Sequence, residues 1–89
     1  MFISMNHVSI FTKPTCPYCY RAKALLDSLG VQYEEIDVLD FPERRQKEVI
    51  NLYGHQTVPA IFIGKTFVGG NDALQKLNEE GKLVDMLGV

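Results

Sequence analysis

The sequence predicts an α/β domain in which a mixed four-stranded β-sheet is flanked by helices. Short apolar runs typical of strands alternate along the chain with segments whose apolar residues recur at helical spacing, which gives the order β-α-β-α-β-β-α. The first β-α-β unit implies two parallel strands joined by a right-handed crossover, and a tight turn late in the chain implies a hairpin that adds antiparallel strands. At 89 residues, we expect one domain spanning residues 1–89.

The first two strands and the helix between them follow from apolar spacing and one glycine. Residues 7–12 are expected to form a buried strand, and a helix is predicted from residue 17 to about residue 29, with Gly30 as its C-terminal stop. Residues 31–38 are predicted to form the second strand. Three polar residues mark the exposed or edge side of that strand: Gln32, Glu34 and Glu35.

A second helix is predicted because Asp40 has the properties of an N-cap and Glu43 follows it three residues later. We expect this helix to run to about residue 52 and to end at Gly54, since glycine commonly terminates helices. The residues that this helix should bury are Val49, Ile50 and Tyr53.

The second half of the chain predicts a hairpin and two more helices. Residues 60–63 are the most strand-like run of the sequence, and a Gly64-Lys65 turn connects them to a strand at residues 66–68. Residues 69–72 break that strand and begin a third helix. A last short helix follows Gly81.

The composition excludes several classes of partner. The net charge of −2 gives no basic footprint for nucleic acid or a membrane surface, and no run approaches the roughly 18 apolar residues of a membrane span. Residues 1–6 lack a basic n-region and a cleavage site, so we expect no signal peptide. A single close cysteine pair is not a secreted disulfide scaffold. We therefore expect a monomer in the reducing cytoplasm.

Both cysteines of the chain, Cys16 and Cys19, lie where the first strand meets the first helix. A Cys-x-x-Cys pair at this position predicts a redox-active dithiol. Free backbone N–H groups and the helix dipole favour a thiolate there, Pro17 suits the first helical turn, and Lys13 adds a nearby cation. In such settings, the thiol pKa falls from about 8.5 to roughly 3.5–7.5. We expect Cys16 to be the exposed nucleophile and Cys19 the more buried resolving thiol.

Two other interpretations of the cysteine pair remain open on the residues alone. The pair could be half of a zinc site, but a structural zinc needs four ligands, usually with a second close pair. The other soft candidates, His7 and His55, lie far apart in the sequence. The cysteines could also be inert core residues. The redox interpretation is favoured, and no metal is expected.

Three short signatures give the chain a specific resemblance that covers essentially its full length. They are Cys16-Pro17-Tyr18-Cys19, Thr57-Val58-Pro59 and Gly69-Gly70-Asn71-Asp72. Each signature is weak alone, but together and in this order they resemble the small dithiol glutaredoxins of bacterial type. The resemblance implies a thioredoxin-like fold, with glutathione as co-substrate.

The resemblance also implies that the Val58–Pro59 bond is cis and packs beside the nucleophile, since cis bonds are mostly X–Pro bonds. The Val58 backbone groups would then pair with an extended thiol peptide in the manner of an added β-strand. The alternative is an ordinary trans proline at the start of a strand.

Glutathione carries an ammonium and a carboxylate at its γ-glutamyl end, and the resemblance implies that Asn71 and Asp72 receive them at a helix N-terminus. The alternative is that either residue is only an N-cap. Lys13 would meet the glycine carboxylate, with Lys47 as a further cation. Many relatives carry a basic residue just before the threonine, where this chain has Gln56. The full expected glutathione-binding set is Lys13, Tyr18, Thr57, Val58, Pro59, Gly70, Asn71 and Asp72.

The resemblance implies a glutathione-dependent oxidoreductase that reduces protein disulfides and glutathione mixed disulfides through Cys16 and Cys19. In this reaction, Tyr18 is expected to be a wall for glutathione, the alternative being a merely exposed aromatic. Gln56 leaves open a second function, a redoxin supplied by thioredoxin reductase that donates electrons to ribonucleotide reductase. A third is a non-catalytic iron–sulfur scaffold, which Pro17 and Cys19 argue against because such members mostly have one active-site cysteine followed by a small residue.

Overall fold

A computed structural model describes residues 6–88; residues 1–5, where no signal peptide is expected, and residue 89 lie outside the described residues. The elements follow the predicted order. They are β1 Val8–Thr12, α1 Pro17–Ser28, β2 Glu34–Asp37, α2 Pro42–Arg45, a π-helical turn Gln46–Ile50, α3 Asn51–Tyr53, β3 Ala60–Ile63, β4 Thr66–Gly69, α4 Asn71–Glu79 and α5 Leu83–Leu87.

The four strands form one sheet in the order β2-β1-β3-β4. β1 pairs in parallel with β2, whereas the β1–β3 and β3–β4 pairs are antiparallel. The mixed sheet and the hairpin are therefore confirmed. Gly64 and Lys65 make the two-residue hairpin turn, in which Gly64 has a φ of 59°, a backbone conformation that glycine adopts at little cost.

β2 is an edge strand, as its polar residues predict, but it is shorter than expected. It begins at Glu34 and not at residue 31. The reason lies in the end of α1, where Gly30 takes a φ of 70° and the Val31 N–H donates to the Leu26 carbonyl at 3.1 Å. Val31 therefore belongs to the C-terminal cap of α1. The residues after it carry the chain back to the sheet, so pairing with β1 begins only at Glu34.

The second helix differs from its prediction at both its start and its middle. Phe41 is the N-cap and makes no side-chain cap hydrogen bond, so the predicted N-cap role of Asp40 is wrong. Pro42 opens the helix one residue later, where its missing N–H costs nothing. The helix ends at Gly54 with a φ of 68°, as predicted.

The π-helical turn explains why one burial prediction for this helix is wrong. Val49 is fully buried and Ile50 is half-buried, but Tyr53 is 45% exposed. A π-turn bonds i to i+5 and so carries an extra residue, which rotates the following side chains away from the α-helical pattern. The Tyr53 ring instead stacks on Phe67, with ring centroids 4.5 Å apart.

The sheet separates two hydrophobic clusters because side chains alternate along each strand. The larger cluster lies under α1, α4 and α5, and its fully buried leucines are Leu26, Leu74, Leu83 and Leu87. The smaller cluster lies on the opposite face, and its buried members are Phe11, Ile36, Val38, Val49 and Ala60.

The strand register brings the three signatures to one end of the sheet. Phe11, near the end of β1, lies opposite Ala60 at the start of β3, so the 57–59 segment faces the loop that carries Cys16. Ile61 lies opposite Gly69, so β4 also ends there. Segments that are far apart in the sequence therefore meet around the first cysteine.

Candidate active site

Cys16 and Cys19 are joined in a disulfide, with their Cα atoms 5.2 Å apart. Cys16 is the N-cap of α1, and its sulfur accepts the Cys19 backbone N–H at 3.1 Å. Cys16 is half-buried, whereas only 2% of Cys19 is exposed. The predicted difference in exposure between the two sulfurs is confirmed.

This arrangement fits thiol–disulfide exchange at one sulfur. A thiolate on Cys16 would keep the Cys19 N–H as a donor and would sit at the positive end of the α1 dipole, and both favour the charged form. An incoming sulfur can reach Cys16 from solvent but not the buried Cys19. The geometry thus separates an accessible sulfur from a buried one.

The 57–59 segment forms the wall beside Cys16. The Val58–Pro59 bond is cis, and the Val58 carbonyl oxygen lies 3.6 Å from the Cys16 sulfur. Within residues 6–88, nothing accepts a hydrogen bond from the Val58 N–H. The backbone of Val58 therefore offers a donor next to the reactive sulfur, as an added strand requires.

The corner between β4 and α4 forms the second wall. Gly70 is the N-cap of α4 and the helix begins at Asn71, so the alternative that Asn71 or Asp72 is only the N-cap is wrong. These two residues occupy the first turn, where backbone N–H groups have no partner within the helix. Asn71 is buried, and its side-chain oxygen accepts from the Gln75 amide at 3.1 Å. Asp72 is exposed, with no ion-pair partner in the described part of the chain.

A groove of about 500 Å³ runs between the two walls. Its lining residues are Tyr18, His55, Thr57, Val58, Pro59, Gly70, Asn71, Asp72 and Ala73. Seven of these nine belong to the set expected from the sequence, and the structure brings them together. Lys13, the remaining residue of the expected set, does not line the groove and is exposed on the loop before Cys16.

His55 is a groove residue that sequence reasoning missed. Its Nε2 lies 3.1 Å from the Pro59 carbonyl oxygen and 3.3 Å from the Thr57 hydroxyl, so Nε2–H donates to the carbonyl, which can only accept. A Cβ atom at Gly70 would lie 3.6 Å from the His55 ring. The ring therefore packs between the two walls. The one sequence feature that could have indicated this role is the position of His55 two residues before Thr57, which lines the groove.

Among the described residues, no lysine or arginine side chain lines the opposite end of the groove. Lys47 is exposed and, like Lys13, lies outside the groove lining. The carbonyl of Gln56 accepts a hydrogen bond from the Arg45 guanidinium, which ties the 55–57 segment to α2. No spacing rule in the sequence signals this contact. The end of the groove expected to hold a carboxylate is thus built less completely than the α4 end.

A hydrogen-bonded network beneath α1 holds a different lysine. Lys23 donates to the Glu35 carboxylate at 2.9 Å, and the buried Thr12 hydroxyl donates to it at 2.8 Å. Partial burial raises the pKa of Glu35, but these two hydrogen bonds outweigh it and the pKa is lowered. Lys23 is therefore committed to β2 and is not a free cation for the groove.

Residues 6–88 contain neither a cluster of metal-ligating side chains nor a membrane-spanning helix. No group of three or more His, Cys, Asp or Glu side chains is placed to hold a metal ion. None of the helices in this part of the chain has the length and apolar character needed to cross a membrane.

Comparison with known proteins points to one family. The Glutaredoxin family model matches residues 8–68. The chain is 46% identical over 83 residues to Glutaredoxin 3 of Escherichia coli strain K12, a match that covers 93% of this chain and 99% of that protein. The solution structure of glutaredoxin from Brucella melitensis is similar, with a TM-score of 0.82, 49% identity, and coverage of 96% of this chain and 91% of that one. The crystal structure of the buckwheat glutaredoxin–glutathione complex has a TM-score of 0.84 at 36% identity, and covers 94% and 78% respectively.

Proposed function

Because this chain belongs to the glutaredoxin family of thiol–disulfide oxidoreductases, we propose that glutathione is its reductant and that Cys16 is its nucleophile. The observation that carries the proposal is the position of the Cys16 sulfur. It caps α1, accepts the Cys19 N–H, and lies 3.6 Å from Val58 at the edge of the groove. A tripeptide thiol bound in that groove would present its sulfur to Cys16.

The first step on a glutathionylated substrate is attack by the Cys16 thiolate on the glutathione sulfur. The Cys16–glutathione bond forms, the substrate disulfide breaks, and the substrate leaves as a thiolate that takes a proton from water. A second glutathione thiolate then attacks the glutathione sulfur of the mixed disulfide. This step releases oxidised glutathione and returns Cys16 as a thiolate.

A protein disulfide requires Cys19 as well. Cys16 attacks one substrate sulfur, and Cys19, deprotonated, then attacks the Cys16 sulfur to release the reduced substrate. The product is the Cys16–Cys19 disulfide, whose 5.2 Å Cα separation lies within the normal range for a bridge. Two glutathiones restore the dithiol through a Cys16–glutathione intermediate, so the net reaction oxidises two glutathiones for each protein disulfide reduced.

Glutathione is proposed to lie in the groove with its γ-glutamyl end at α4. The Asp72 carboxylate would accept from the ammonium, and first-turn N–H groups would donate to the carboxylate. Val58 would pair with the cysteinyl backbone, with Thr57 and Lys13 toward the glycine end and Tyr18 as a wall. The buckwheat relative was solved as a glutathione complex, which supports this assignment.

The broader setting of this function is also a proposal. We assign the protein to the cytoplasm as a monomer, formed by residues 1–89 as one domain. Its substrates are disulfide-containing or glutathionylated proteins, with ribonucleotide reductase as one candidate. Low net charge and an active site contained within one chain support this setting.

The assigned roles of the two cysteines are tested with two single variants. Cys16→Ser should lose essentially all turnover of a glutathione mixed disulfide, because the nucleophile is gone. Cys19→Ser should keep that turnover and lose reduction of a protein disulfide. Activity is measured with glutathione, its reductase and NADPH, using glutathionylated albumin and insulin as the two substrates. Turnover of glutathionylated albumin by Cys16→Ser would show that the roles are wrong.

A second candidate function follows from the end of the groove that carries no cation. With Gln56 in place of a basic residue and Lys13 outside the lining, the glycine carboxylate has weak recognition. Such a protein could take electrons from thioredoxin reductase and pass them to ribonucleotide reductase. Comparing turnover with thioredoxin reductase against turnover with glutathione and its reductase separates the two candidates, and we expect glutathione to support the faster rate.

A further inference from the structure

A second cavity, of about 620 Å³, lies next to the groove on the outer side of α1 and α4. Its lining residues are Arg21, Ala24, Leu25, Asn71, Asp72 and Gln75. Asn71 and Asp72 also line the groove, so the two spaces adjoin at the first turn of α4. Nothing in the proposed glutathione reaction uses the far side of this cavity.

Arg21 supplies the positive charge of the second cavity. Its guanidinium carbon lies 5.5 Å from the centre of the Tyr18 ring, and Tyr18 lines the groove. Across residues 6–88, no carboxylate lies within ion-pair distance of Arg21. The other charged group in the lining is Asp72, at the boundary with the groove. The cavity therefore has an acidic border and an unpaired cation beyond it.

We propose that this cavity is a subsite for the protein part of a disulfide substrate, and that Arg21 selects an acidic side chain three residues before the reacting cysteine. The inference rests on the proposed function. In the orientation given above, the chain that precedes the reacting cysteine passes from Val58 over Asn71 and Asp72. Glutathione ends there, whereas a protein substrate continues into the cavity.

The position of the acidic residue follows from chain length and charge. An extended chain advances about 3.3 Å per residue, so the residues one and two before the cysteine cross the boundary at Asp72. At that boundary, an acidic side chain would lie beside the Asp72 carboxylate, with only backbone N–H groups to offset the repulsion. The third residue lies about 10 Å from the cysteine, beyond Asp72 on the side of the cavity that Arg21 lines, where a carboxylate has a favourable partner.

The test uses two symmetric disulfides of a short peptide that is acetylated at its N-terminus and amidated at its C-terminus. One peptide carries Glu three residues before its cysteine, and the other carries Gln. Pre-reduced protein is mixed with each disulfide in a single turnover, and the two second-order rate constants are compared. An exposed ion pair predicts a Glu-to-Gln ratio of about three to five at low salt, which falls toward one as salt is added.

Arg21→Gln should bring that ratio to one, while the matched control Lys65→Gln, which removes an exposed cation from the hairpin turn, should leave it unchanged. The subsite is overturned by equal rates in the wild type, by no reduction of either peptide, or by an unchanged ratio in Arg21→Gln. Because the single turnover contains no glutathione, a missing Glu preference is distinguishable from a failure of the proposed glutathione-dependent function. That function fails separately if the wild type does not turn over a glutathione mixed disulfide.

Discussion

The two ends of the groove are built in different ways. At the α4 end, Gly70 caps the helix, and Asn71 and Asp72 place backbone N–H groups and a carboxylate along the lining. At the other end, Lys13 lies outside the lining, and the carbonyl of Gln56 is held by an arginine of α2. One end is formed by the backbone of a single turn, and the other depends on long side chains from separate elements.

The α4 end of the site is fixed before a ligand arrives, whereas the other end is not. Backbone N–H groups at a helix N-terminus cannot rotate away, and Asn71 is further held by Gln75. A lysine must give up rotamer freedom, about 2 kcal/mol for a fully ordered side chain, to bind a carboxylate. We therefore expect the γ-glutamyl end of glutathione to contribute most of the binding selectivity.

The largest effect within the groove is expected at Asp72. Asp72→Asn removes the charged partner of the ammonium and so weakens a charge-assisted hydrogen bond of about 1.5–3 kcal/mol. The KM for a glutathione mixed disulfide should therefore rise roughly 10- to 100-fold. The kcat should change little, because Cys16 is untouched. Glu79→Gln, at the other end of α4, is the matched control. An unchanged KM for Asp72→Asn would show that the α4 end does not dominate glutathione binding.

A smaller effect is expected at His55, which packs between the two walls. His55→Ala removes the donor to the buried Pro59 carbonyl, and an unsatisfied group of this kind costs about 1–3 kcal/mol. The melting temperature should fall and the KM should rise about three- to tenfold. His55→Gln keeps an N–H donor and should recover part of both. If both variants lower stability equally with no change in KM, His55 has no positioning role.

The smallest effect is expected at the lysine end. Lys13→Gln should raise the KM by less than about fivefold, because exposed ion pairs contribute at most about 1 kcal/mol, and added salt should remove the difference. Lys47→Gln should have a smaller effect still. The measurement is the KM at low and high ionic strength. An effect of Lys13→Gln as large as that of Asp72→Asn would show that both ends bind equally.

The α4 end was predictable from sequence for the same reason that it is rigid. The Gly-Gly-Asn-Asp run sets a strand end and a helix start locally, so neighbouring residues decide the geometry. The order of strands and helices followed from periodicity in the same way. The cysteine exposures followed from their place at the start of α1, since Cys16 caps the helix at its open end and Cys19, three residues later in the first turn, is buried against the core.

The rest depended on contacts between distant parts of the chain. The π-helical turn exposes Tyr53, and nothing in the sequence from residue 46 to 50 departs from an ordinary helical pattern. The Arg45 bond to Gln56 and the packing of His55 between the walls both arise from tertiary structure. The adjacency of two cavities across Asp72 likewise requires α1 and α4 to be placed side by side.

Cys16 should be ionised at neutral pH beside the groove, and the pH dependence of its alkylation measures that ionisation. The rate of reaction with iodoacetamide is followed in Cys19→Ser, where Cys16 is the single thiol. We predict a midpoint in the range of roughly 3.5–7.5, because the α1 dipole and the backbone N–H donor stabilise the thiolate. A midpoint of about 8.5, the pKa of a free cysteine, would show that Cys16 is an ordinary thiol and not the activated nucleophile.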